Sequence, residues 1–173
     1  GTTAYTNFSG SFSAGKRMGN FMPSVSVHAA NILNSTQVEA EGALLIYPFG
    51  NNRFYMRTVY AGIQNDGVFQ PVFTQQLGGR ITDKIWYDAS ASFGNHSQYI
   101  TNYGFLTYNT ADPVKMNIGA DLRFCFKNIE IVPGYHFQQR EGSYRQYKTP
   151  TDFTTTRFNY STHLLTTSIK WKF

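Results

Sequence analysis

The chain has 173 residues, a formal charge of +5 and a mean hydropathy of −0.36, with 17% aromatic and only 14% charged residues. No run approaches the roughly 18 apolar residues that a spanning helix needs, and the Lys and Arg residues are scattered along the segments, which leaves no basic cluster for a nucleic-acid partner. A charged share well below the roughly 25% of soluble domains, made up by Tyr, Phe, Thr, Ser, Asn and Gly, is the composition of strands and turns in one domain.

In chain order, segments of about 10 to 14 residues alternate in polarity, the length that crosses a bilayer as a tilted strand. The first covers roughly 4–17. From Phe21 to Leu33, Phe21, Pro23, Val25, Val27 and Ala29 alternate with Met22, Ser24, Ser26, His28 and Ala30. From Gln37 to Phe49, Val38, Ala40, Gly42, Leu44 and Ile46 oppose Gln37, Glu39 and Glu41. Between Arg53 and Ile63, Phe54, Met56 and Tyr60 oppose Arg53, Tyr55 and Arg57. The segments Phe69 to Ile81 and Ile85 to Gly94 follow. The clearest hairpin runs from Val114 to Gln139. Val114, Met116, Ile118, Ala120, Leu122, Phe124 and Phe126 oppose Lys115, Asn117, Gly119, Asp121, Arg123 and Cys125, and the return strand sets Ile129, Ile131, Pro133, Tyr135 and Phe137 against Glu130, Val132, Gly134, His136 and Gln138. The last strand alternates Leu165, Thr167, Ile169, Trp171 and Phe173 with Leu164, Thr166, Ser168, Lys170 and Lys172.

The connections sort into two ends. Met18-Gly19-Asn20, Gly50-Asn51-Asn52, Thr82-Asp83-Lys84 and Lys127-Asn128 are short turns at one end. The other end takes Asn34-Ser35-Thr36, Gln64-Asn65-Asp66-Gly67 and two long connections, about 95–112 and 141–154. One-sided loop length is the arrangement of outer-membrane barrels.

The ending resembles the C-terminal strand of Gram-negative outer-membrane β-barrels, in which a terminal aromatic and alternating apolar residues form the signal read by the barrel-assembly machinery. The residues that carry the resemblance are Phe173, Trp171 and Ile169. It implies an all-β, antiparallel up-and-down transmembrane barrel in the bacterial outer membrane. Its surroundings would be the lipid bilayer and lipopolysaccharide, with other outer-membrane or periplasmic proteins as partners. The short turns would then face the periplasm. Nine strands are read, whereas bacterial single-chain barrels have an even number. The expectation is a mature form or fragment, lacking one or more N-terminal strands of a parent with 10 to 14, and no signal peptide opens the chain at Gly1-Thr2-Thr3.

The polar face carries Glu39, Glu41, Arg53, Arg57, Asp88, Lys115, Asp121, Arg123 and Glu130, beside small Ser90, Ser92, Gly119 and Gly134. In a membrane barrel these line the lumen. In a soluble barrel the faces would exchange, with Met116, Ile118, Phe124 and Phe126 filling the interior. Inward charges either line an aqueous pore or plug a narrow barrel. In the second case Glu39 and Glu41 pair with Arg53 and Arg57, and Asp121, Arg123 and Glu130 form a network across the Lys127 hairpin. The long segment with Tyr144, Arg145, Tyr147 and Lys148 is a basic, aromatic surface that suits an acidic saccharide or a protein partner, or is simply solvated.

Catalytic signals are thin. His28 and His136 point inward, His163 outward, and Asn95-His96-Ser97 faintly resembles a deacylase His-Ser pair without the residues around it. Cys125 stands alone with no metal-ligand spacing, and no cofactor motif is present. The expected function is a channel or a structural subunit of an outer-membrane transport or secretion assembly. The alternative is a barrel enzyme acting on lipid A or phospholipid.

Overall fold

The computed structural model describes residues 8–32, 35–65, 67–96, 100–101, 106–107, 112–149 and 152–171. The strands are β1 (Phe8–Gly15), β2 (Phe21–Ile32), β3 (Ser35–Ile46), β4 (Phe54–Asn65), β5 (Val68–Thr82), β6 (Ile85–Gly94), two short strands β7 (Ile100–Thr101) and β8 (Leu106–Thr107), then β9 (Val114–Cys125), β10 (Ile129–Tyr147) and β11 (Phe153–Trp171). No helix occurs among the described residues.

Nine strands form one antiparallel sheet in the order β1-β2-β3-β4-β5-β6-β9-β10-β11, and β7 pairs with β8 separately. Each neighbour in the large sheet is also the next of its strands along the chain, which is the up-and-down meander that the alternating segments predict. Left-handed glycines turn the chain at Gly19 (φ 62°) and Gly50 (φ 67°), where an L side chain is disfavoured. β1 and β11 are the two edges, and no ladder joins them among the described residues.

One expectation is corrected. The segment 141–154 was expected as a long loop, but β10 runs on to Tyr147 and β11 starts at Phe153, with paired residues from Glu141↔Asn159 to Tyr147↔Phe153. The reason is aromatic pairing across the two strands, with Tyr144 against Phe158 (ring centroids 6.2 Å apart) and Tyr147 against Phe153 (5.5 Å), beside the Thr-rich start of β11. Past the ladder, Lys148 N–H donates to Asp152 O at 2.9 Å. The strands pass beyond the start of β9 at Val114, so this pair projects as a ribbon. The other long connection, about 95–112, falls mostly outside the described residues.

The registers put every sequence-read polar face on one side. Across the sheet, Ser13, Ser26, Glu41, Ala61, Val72 and Gly94 fall in one row of partners, and His28, Glu39, Ile63 and Gln70 in the next. This is the buried side: Ser26, His28, Gln37, Glu39, Ser92 and Glu130 are buried, together with Ala30, Val59, Ala61, Ile63 and Val72. Val114, expected on the open face with Met116 and Ile118, is also fully buried, where the ladder to β10 shifts register at Gln139/Arg140. The other face is apolar and exposed, with Val25, Val27, Leu44, Tyr60, Phe73, Leu77, Phe93, Ile118, Leu122, Tyr135, Ile169 and Trp171 open, and Leu165 81% exposed. On β2 to β6 the polar face is therefore the more buried one and the apolar face the more exposed, whereas β1 and β11 are exposed on both faces. Ile118 lies on the open face, at 38% exposure.

Candidate functional site

The enclosed polar face is the candidate site, and cross-strand register decides which of its charges meet. Glu41 lies opposite Ala61, two residues along from Val59 and four from Arg57 on β4. From there Arg57 Nη2 donates to Glu41 Oε1 at 3.0 Å, in a pair that is partly shielded from water. Glu39 does not pair with Arg53. Its register partner is Ile63, whereas Arg53 precedes β4 at the short-turn end, where its backbone N–H donates to Asn51 Oδ1 at 2.9 Å and its carbonyl accepts from Arg80 N–H at 3.0 Å. Arg53 instead lines a polar cleft of about 560 Å³ with Arg17, Asn51, Asn52, Arg80 and Trp86.

Glu39 is brought to His28. The two are direct register partners across β2 and β3, with His28 only 3% exposed and Glu39 wholly buried. Glu41 joins them: one donor atom from each of His28, Glu39 and Glu41 lies within 4.8 Å of the other two. His28 Nδ1 is buried without a hydrogen-bond partner.

On β9 to β11, Glu130 receives Arg123 at 3.5 Å and Lys170 at 3.4 Å. Asp121 does not join them and meets His136 instead, with Nε2 3.4 Å from Oδ1. Asp88 accepts from Tyr55 Oη, and Lys115 reaches Glu141 at 4.0 Å. Inward glycines make room for these groups. A Cβ on Gly119 would meet the His136 ring, and one on Gly78 would run into Tyr55 and Asp88.

Sequence reading also missed the contacts of Ser92 with His96 and of Tyr160 with Asp112. Ser92 Oγ lies 2.6 Å from His96 Nε2, and His96 Nδ1 lies 2.9 Å from Val114 O. With Nδ1–H donating to that carbonyl, Nε2 is left as the acceptor for Ser92. Burial holds the His96 pKa below its ordinary 6.5, against the opposing pull of backbone hydrogen bonds to Val114 and Gly94. This Ser-His pair is i, i+4 across the end of β6, whereas the sequence pairs His96 with Ser97, which lies outside the described residues. Ser92 and His96 are 7% and 2% exposed, so the hydroxyl has no open approach. In the other contact Tyr160 Oη donates to Asp112 Oδ2 at 2.7 Å.

Of the expected assembly signal, Ile169 and Trp171 sit opposite Ile131 and Ile129 on the apolar face, and Phe173 lies outside the described residues. Tyr144, Arg145, Tyr147 and Lys148 are all exposed on the projecting ribbon, with the Arg145 guanidinium 4.8 Å from the Phe153 ring centre. His163 is held on the outward face by Tyr135 Oη at 2.8 Å from Nδ1 and by the edge of Phe137. No family model, curated protein or solved structure gives a significant match to this chain.

Proposed function

We propose that the chain forms the wall of an integral outer-membrane β-barrel and serves as a structural subunit of an outer-membrane transport or secretion assembly. The observation that supports membrane insertion is the inverted burial: His28, Glu39 and Glu130 are enclosed while Ile118, Leu165, Ile169 and Trp171 are open. In water, an apolar face of this extent is costly at about 25 cal/mol per Å². Against lipid tails it costs nothing, and the strands between β1 and β11 satisfy their backbone groups laterally.

The inner face supports the subunit over an open channel. Opposite charges close on each other in Arg57–Glu41, Arg123–Glu130 and Lys170–Glu130, and Ala61, Ile63 and Val72 pack apolar atoms into the same interior. Paired charges and packed apolar groups on one wall favour a filled interior over a wide aqueous one. The enzyme alternative has Ser92–His96 as its best pair among the described residues, and that pair is enclosed.

The test is reconstitution into liposomes and planar bilayers. The expected results are resistance to extraction by alkaline carbonate and no stepwise conductance. Extraction into the aqueous phase overturns the membrane reading, and regular conductance steps turn the subunit into a channel.

A further inference from the structure

We propose that His28, Glu39 and Glu41 form a binding site for one divalent cation of the zinc class on the enclosed face of β2 and β3. Three observations carry it, none of which depends on the membrane reading. First, three donors from two adjacent strands converge, with their ligand atoms mutually within 4.8 Å. Tetrahedral ligands at roughly 2.0–2.1 Å stand about 3.4 Å apart, so binding has to draw the set together by about 1 Å. Second, the His28 ring is almost fully buried and its Nδ1 has no hydrogen-bond partner. A buried imidazole nitrogen left in this state costs free energy unless something accepts its lone pair or its proton. A metal ion held at Nδ1 beside the carboxylates would do so. Third, the site is wired for orientation, because Arg57 holds Glu41 Oε1 at 3.0 Å and leaves the second oxygen of that carboxylate for a ligand bond.

The donor set selects the ion. One imidazole with two carboxylates is a nitrogen and oxygen site, which suits zinc and its divalent neighbours. Calcium and magnesium prefer oxygen alone and more ligands than this wall supplies. The lone Cys125 lies on β9, away from β2 and β3, so no thiolate is at hand for a softer ion. Two carboxylate charges balance the dication. Three protein ligands leave a fourth position open for water or another donor.

The experiment uses the full chain folded in detergent, stripped with chelator, and titrated with Zn²⁺ against a chromophoric competitor. Wild type is expected to bind one equivalent, and Co²⁺ is expected to give visible d–d absorption from the same site. H28A and E39Q should each weaken Zn²⁺ binding at least tenfold and E41Q several-fold, while H136A, which removes an imidazole on the same face, should leave it unchanged. Ca²⁺ and Mg²⁺ at a hundredfold excess should not displace Zn²⁺. Should H28A or E39Q fail to fold, E41Q and the wild-type Co²⁺ spectrum decide the matter. The proposal is overturned by a wild-type stoichiometry near zero, by equal affinity in wild type and E41Q, or by H136A abolishing binding.

Discussion

Strands β2 to β5 and strand β11 alternate polarity in the same way, yet they end in opposite environments. In the first group the inward residues His28, Glu39, Ala61, Ile63 and Val72 are buried and the outward residues Val25, Val38, Tyr60 and Phe73 are exposed. Along β11 almost every residue on both faces is exposed, Leu164 inward and Leu165 outward alike. Alternation fixes which face a side chain takes; neighbours on both sides of the strand decide whether that face is closed. β11 has β10 alone, and its far edge carries a row of backbone donors and acceptors. In a bilayer such an edge must be covered, by β1 or by another strand.

The largest test of this contrast removes the same kind of side chain from each region. Ile63→Ala opens a cavity in the enclosed face beside Ala61 and Val72 and should cost about 2–5 kcal/mol. Leu165→Ala, on the exposed face, should stay within about 0.5 kcal/mol. Urea unfolding of the protein in detergent gives both values. Equal losses would mean that the two regions do not differ in packing.

A charge placed on either face of β9 separates lipid from interior. Ile118→Arg should cost about 2–4 kcal/mol in liposomes if the apolar face meets the bilayer centre, whereas Asn117→Arg should be much milder. Similar midpoints for the two variants would remove the assignment of faces.

The strand count, the order and the faces were legible because a period of two is written in residues such as Val25, Ser26, Val27 and His28. Pairings were less legible, because they depend on where each turn is centred. His28 meets Glu39 through a register that ends at Ile32↔Ser35, one that needs a two-residue connection. Reading the turn at Asn34-Ser35-Thr36 would set His28 against Gly42 instead. That choice puts an inward residue opposite an outward one, so face matching excludes it, but face matching leaves His28 opposite Glu39 and His28 opposite Glu41 equally allowed. The ribbon beyond Glu141 was hidden for a different reason. Its Ser, Gly and Gln content reads as a loop, whereas the backbone ladder and cross-strand ring pairs such as Tyr147 with Phe153 hold it extended. The Ser92–His96 contact could not be read from spacing, since it depends on the chain doubling back at Gly94, where φ is 130°.

The smallest expected effect concerns that contact. The folded state keeps His96 below its ordinary pKa of 6.5, so the unfolded chain takes up a proton first as pH falls. Stability from neutral His96 is fully present above about pH 6.5 and is lost progressively below it. The stability difference between wild type and His96→Gln should therefore be constant from pH 8 to 7 and shrink towards pH 5. A difference independent of pH would show that His96 does not titrate with folding.

The central claim is that the apolar face is the one that meets lipid. It is tested most directly by nitroxide labels on single cysteines at Ile118 and at Asn117, in a Cys125→Ser background, after reconstitution into liposomes. The account predicts that the label at 118 is relaxed strongly by oxygen and weakly by a water-soluble nickel chelate, with oxygen accessibility much lower at 117. Equal oxygen accessibility at the two positions, or higher accessibility at 117, would contradict it.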